Sequence, residues 1–222
     1  MTSNKKNLIL VIMLVVIMAI PLLLAFKGGK TAVLDDGETT HLIFMREEEK
    51  LARDVYLTQG ENYPELMVFA NIAVSEQKHT DTMKDKLAQF KVPDPSTDDT
   101  VGVFTGAEYG PYFTATFANL VALGKTSGLN ALYVGALIEE LDMHDIVDCP
   151  VVIVETDNDV AEGECGMDYT EARALIQSYG NLLAGSKDHL RAFVNNIELD
   201  IGEGNYAAQY LTQEEVDAIL GR

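Results

Sequence analysis

The sequence predicts an all-α protein: a four-helix bundle with a long crossover between its second and third helices, preceded by an N-terminal membrane helix. Three observations lead there. Four stretches repeat apolar residues at intervals of three, four and seven, the spacing of a helix face that is buried. The first two stretches are joined closely, a long connection follows, and two more stretches complete the set, which is not the order of a simple up-down bundle with short loops. Residues 7–26 form an almost unbroken apolar run of bilayer length.

The elements follow in chain order. Met1 to Lys6 is short and basic, and the apolar run ends at Phe26. A cleavable signal would have a shorter apolar core and small residues at the cut, and Ala25-Phe26-Lys27 offers no such site. Residues 1–26 therefore read as a membrane anchor, with a cleaved signal segment and a secreted protein as the alternative. Lys5 and Lys6 precede the run and Lys27 and Lys30 follow it, so flanking charge does not orient it. Residues 27–38 read as a linker, marked by Gly28-Gly29 and Asp35-Asp36-Gly37, and 39–222 as one domain.

Within that domain the first helix is expected from Thr39 or Thr40 to Gln59, with Gly60 at its C-terminal cap. The second follows Tyr63-Pro64, which suits a helix start, and stops before Val92-Pro93. The connection from Pro93 to Gly128 contains an apolar piece near 113–123, read as a short helix. The third helix covers about 129–147 and the fourth about 169–198. Leu211 to Ile219 reads as a small helix capping the bundle.

Charge and cysteine usage narrow the function. The 222 residues carry a formal net charge of -19, and no acid precedes residue 35, so the domain itself is more negative still. Such a surface repels nucleic acid and anionic lipid. Cys149 and Cys165 flank an acidic loop, and the pair reads as a disulfide, with two unpaired thiols as the alternative. Together with the anchor, this points to an extracytoplasmic domain. The acidic loop from Glu155 lacks the ligand spacing of an EF-hand, and the chain has no Gly-rich phosphate loop or nucleophile elbow.

The chemistry lies in polar residues that occupy core positions. Glu76 and His79 fall one turn apart in the stripe Phe69, Ile72, Met83, Leu87 and Phe90. Glu49 shares a face with Leu42, Met45, Ala52 and Tyr56. Glu139 and Glu140 end an apolar run; Glu139 shares its face with the small residues Gly135 and Ala136, and Glu140 points about a quarter-turn away as its rival. His189 shares a face with Leu182, Ser186, Phe193 and Ile197. Buried charge is costly unless something pairs with it, and a metal ion does so. Carboxylate oxygen and imidazole nitrogen suit iron, manganese or zinc, and Glu-x-x-His is the unit of helical di-metal carboxylate sites. The candidate ligands are therefore Glu49, Glu76, His79, Glu139, Glu140 and His189, with Asp142 a further one turn from Glu139. Tyr56 reads as packing and His144 as a surface histidine.

Glu49-x-x-Ala-Arg-x-x-Tyr56, Glu76-x-x-His79, Ile138-Glu-Glu-Leu-Asp142 and Gly185-Ser-Lys-Asp-His-Leu-Arg-Ala-Phe193 together carry a family resemblance. The chain resembles the ferritin-like domain of unknown function 2202 family and, more distantly, the rubrerythrins. Ferritin-like di-metal proteins place one Glu on each of two helices and a Glu-x-x-His on each of the other two. This chain departs from that pattern at Ser186, which stands where the second motif has its glutamate.

The resemblance implies one or two iron or manganese ions between the helices. Two functions stay open at this point. One is a membrane-anchored di-iron or di-manganese oxidoreductase acting with oxygen or peroxide. The alternative is a non-enzymatic surface bundle for metal sequestration or partner binding. Metal ions and the membrane are the expected partners, nucleic acid is not, and a homo-oligomer stays open.

Overall fold

Asp35 starts the first helix. Its carboxylate accepts from the Glu38 backbone N–H (2.8 Å), and the Glu38 carboxylate accepts from the Asp35 N–H (3.1 Å). This reciprocal capping box satisfies free N–H groups of the first turn. It sets α1 at Asp36–Asn62, beginning before the expected Thr39 and running past Gly60. The computed structural model describes residues 33–156 and 159–222, all belonging to one compact unit. Within them, α1 is followed by α2 (Met67–Phe90), α3 (Gly110–Gly124), α4 (Gly128–Val147), α5 (Val151–Thr156), α6 (Arg173–Ile201) and α7 (Gln213–Leu220).

Helices α1 and α2 pack as one pair and α4 and α6 as the other, with α1 against α4 and α2 against α6 closing the bundle. The core between them includes Val55, Phe69, Met83, Leu182, Phe193 and Ile197. The connection from 91 to 127 carries α3, which packs against both α1 and α4.

Helix α1 is buried on nearly every side, although it carries Arg46, Glu47, Lys50, Arg53 and Asp54. The crossover accounts for this, because it lies on the charged face and answers each group. Arg46 pairs with Asp94 (3.2 Å), and Lys50 donates to the Thr100 carbonyl (2.9 Å). Asp54 accepts from Lys50 (2.5 Å), Arg53 (2.7 Å) and the Gly102 N–H (2.9 Å). Glu47 accepts from the Gly106 N–H at 3.1 Å. Losing one partner of such a buried pair leaves the other uncompensated, so these contacts fix the path of the crossover firmly.

After α4 the chain folds back on itself. Cys149 and Cys165 form a disulfide, and Met167 N–H donates to the Ile146 carbonyl (2.9 Å). Gly166 makes the return possible: its φ is +93°, and a Cβ there would lie 2.5 Å from the Val147 carbonyl oxygen. The acidic loop expected here contains the short helix α5, and α6 begins at Arg173, later than the expected 169.

The expected membrane helix is corrected. Among the described residues no helix is long and apolar enough to cross a membrane. Helices α1, α2, α4 and α6 carry acids and bases, while uncharged α3 has only 15 residues against the ~20 that a bilayer requires. The expected anchor, residues 1–26, lies outside the described residues. Membrane attachment, an extracytoplasmic place and secretion after signal cleavage are therefore withdrawn from the functional reading, and the fold class is an all-α bundle.

Glu140 organises the C-terminal segment rather than a metal position. Its carboxylate accepts from the Tyr206 hydroxyl (2.6 Å) and from the backbone N–H groups of Gln209 (2.9 Å), Tyr210 (2.6 Å) and Leu211 (2.9 Å). Glu140→Ala removes all four acceptor contacts at once. The expected result is a loss of about 2–3 kcal/mol in denaturant unfolding, with metal content unchanged.

Candidate metal centre

Five of the six expected ligands converge. Glu49 comes from α1, Glu76 and His79 from α2, Glu139 from α4 and His189 from α6. They form two buried trios, Glu49–Glu76–His79 and Glu76–Glu139–His189, each offering ligand atoms within 4.8 Å of one another. Glu76 belongs to both. One of its oxygens lies 2.6 Å from His189 Nδ1 and the other 3.0 Å from His79 Nδ1. Outside that span, Glu49 stands 3.3 Å from His79 Nδ1 and Glu139 3.4 Å from His189 Nδ1. The two imidazoles stack at 5.5 Å between centroids. Glu140 is absent from the group, since the helix turn that aims Glu139 inward aims it at the C-terminal segment.

Short range does not make these contacts good hydrogen bonds. Both Nδ1 atoms and one Glu49 oxygen are buried without a hydrogen-bond partner. Ligand atoms held ~2.1 Å from one ion stand roughly 3–3.4 Å apart, as three of the four separations above do, the 2.6 Å Glu76–His189 approach being shorter. The residues thus fit metal ions in position, number and chemistry.

Electrostatics agree with a site built for cations. Burial alone would raise the Glu76 carboxyl, but the facing imidazoles of His189 and His79 hold it at about 2. Burial would lower the two histidines; the surrounding carboxylates outweigh it and lift His79 to about 12 and His189 to about 10. Burial pushes Glu49 up to about 8 and raises Glu139, while the histidines oppose both shifts. Without metal, protons on the imidazoles neutralise the carboxylates.

Several residues support the five. Tyr56, expected only to pack, donates its hydroxyl to Glu139 at 2.6 Å from a fully buried ring. Gly135 leaves room for the Phe193 ring, which packs 5.2 Å from Tyr56. Ser186, at the position where the resemblance has a glutamate, donates to Asp142 at 2.5 Å. The other Asp142 oxygen is buried and unpartnered. The Glu139/Asp142 spacing on one helix is the sequence signal that points to this arrangement.

A four-helix bundle with buried Glu/Glu/His clusters defines the class: a ferritin-like metal-binding site. Comparison with known proteins gives the family. The chain matches the family described as "Uncharacterized protein domain (DUF2202)" over residues 38–222, and it belongs to that family. It is similar to the "Uncharacterized protein MJ0754" of Methanocaldococcus jannaschii, with 40% identity over 187 residues, covering 84% of this chain and 88% of the relative. It is also similar in structure to the crystal structure of hypothetical protein MJ0754 from Methanococcus jannaschii DSM 2661. There the TM-score is 0.69 at 38% identity, with 86% of this chain and 95% of that chain covered.

Gly185 gives the most direct test of this geometry. A Cβ there would sit 2.6 Å from Cε1 and 2.7 Å from Nε2 of His79. The imidazole can swing aside, and alanine favours the helix by about 1 kcal/mol over glycine. Gly185→Ala is therefore expected to keep the fold, because the gain in helix propensity offsets part of the lost His79 contacts, while manganese affinity falls about tenfold or more. Equal affinity in titration calorimetry would show that the His79 position does not matter to binding.

Proposed function

We propose that this chain is a metal-holding ferritin-like bundle that takes up two divalent transition-metal ions, iron or manganese, and sequesters them between its helices. The observation that carries the reading is the shared carboxylate of Glu76, which faces His79 with one oxygen and His189 with the other. In this reading Glu49, Glu76 and His79 would hold one ion and Glu76, Glu139 and His189 the second, with Glu76 common to both sets. The ions supply the positive charge that lets the buried carboxylates ionise together. The anchored oxidoreductase of the sequence reading is set aside: no membrane-spanning helix exists among the described residues, and what the geometry supports is metal retention. The Glu-x-x-His motif supports a more distant kinship with the rubrerythrins.

The chain's own residues govern when metal binds. His79 and His189 carry protons in the metal-free state and must release them to ligate. Affinity therefore rises as pH rises, and binding releases protons into the buffer. Tyr56 holds Glu139 by one oxygen and leaves the other facing His189.

Metal analysis after anaerobic loading with iron(II) or manganese(II) tests the reading. About two ions per chain are expected, with calorimetric heats that scale with buffer ionisation enthalpy. Glu76→Gln should weaken both positions by more than about 100-fold, whereas Glu49→Gln should chiefly affect one. A parent chain that binds no metal, or binds it without proton release, contradicts the proposal.

A further inference from the structure

The metal-holding reading leaves a second group of buried acids without a role. Glu48 is 8% exposed, Asp142 4% and Asp145 8%. Their places on α1 and α4 order them into a line. Glu139, Asp142 and Asp145 follow one another at three-residue intervals along α4, so they share one face that begins in the centre described above. Glu48 is buried beside Glu49 on α1, which packs against α4, and burial together with the nearby Asp145, Asp142 and Glu49 raises its carboxyl well above the usual range. Asp145 in turn stands 2.8 Å from His144 Nδ1.

His144 reaches the surface, where it lines a cleft of about 740 Å³ together with Asp148, Glu155 and Glu162. The His144 ring sits edge-on to Tyr210, 5.1 Å between centroids. Tyr210 is itself held by its backbone N–H to Glu140.

Three buried carboxyls in a row repel one another, and the base that faces them, His144, stands at the cleft end beside Asp145. Arg46, Lys50 and Arg53 on α1 are committed to the crossover. Nor do hydrogen bonds complete the line, because one oxygen each of Glu48 and Asp142 is buried without a partner. Such groups are costly in a stable core and useful where a cation passes.

We propose that Asp145, Glu48 and Asp142 form an inlet that carries divalent transition-metal cations from the His144 cleft to the Glu49–Glu76–Glu139 centre. The inference rests on the metal-holding reading and assigns residues outside its ligand set. In the inlet, the cleft acids concentrate cations, the Glu48–Asp145 pair receives one, and the free Asp142 oxygen passes it on toward Glu49. Ser186 keeps Asp142 aligned by holding its other oxygen.

Stopped-flow mixing of the full chain with cobalt(II), followed by the visible bands of bound cobalt, separates the inlet from the centre. Asp145→Asn and Glu48→Gln preserve shape and remove charge, and circular dichroism checks that each is folded; slowed filling in either folded variant supports the inlet, and if only one folds it decides the test alone. The expected result is filling slowed by about tenfold or more, with final stoichiometry and spectrum unchanged. Asp98→Asn on the crossover serves as the control for total charge and should fill at the parent's rate. If both inlet variants fill as fast as the parent, the inlet is wrong while the centre stands, and cations pass by another way such as the imidazole edges beside Gly185. If the parent takes up no cobalt, both the inlet and the metal-holding reading fall.

Discussion

Glu76 is the side chain on which the rest of the structure depends. It projects from α2 into the space where all four long helices meet, and a histidine faces each of its oxygens. A carboxylate so deeply buried would ordinarily hold a proton. Here the two imidazoles keep it ionised, and the neighbouring acids Glu49 and Glu139 keep the imidazoles charged. Protons on the imidazoles offset this negative charge, and in the proposed function metal ions would take their place. Tyr56 extends the arrangement by fixing Glu139, and Gly185 and Gly135 extend it by leaving space for His79 and Phe193.

The other constraint is the charged face of α1. A helix buried on almost all sides cannot also present lysine, arginine and aspartate unless each is answered. The long crossover answers them with Asp94, the Thr100 carbonyl and the N–H groups of Gly102 and Gly106. This lets one helix serve two purposes. Its inner face supplies Glu49 and Tyr56, and its outer face secures the connection that the bundle topology requires. Glu48 is buried beside Glu49 on α1, the helix that packs against α4 and its acids Asp142 and Asp145.

Much of this was legible in the sequence, for identifiable reasons. The apolar period of the four long helices survives because each buries a continuous stripe, and Glu49, Glu76, His79, Glu139 and His189 stood out as polar residues within those stripes. What misled was local. The choice between Glu139 and Glu140 depended on which side of α4 received the C-terminal segment, and that contact is 66 residues away in sequence for Tyr206. The start of α1 was set by the Asp35/Glu38 box, which reads as linker when only the apolar period is followed. The burial of Arg46, Lys50 and Arg53 had no signal, because their partners lie in a loop without periodicity. The N-terminal apolar run invited a membrane reading of the whole protein, which no helix among the described residues supports.

Anomalous diffraction from crystals loaded with manganese or iron tests the central claim most directly. Two anomalous peaks are expected inside the bundle on either side of Glu76, one ligated by Glu49 and His79 and the other by Glu139 and His189, with bonds of about 2.0–2.3 Å. A loaded crystal with peaks only at surface carboxylates, or with a single ion that Glu76 does not touch, would contradict it.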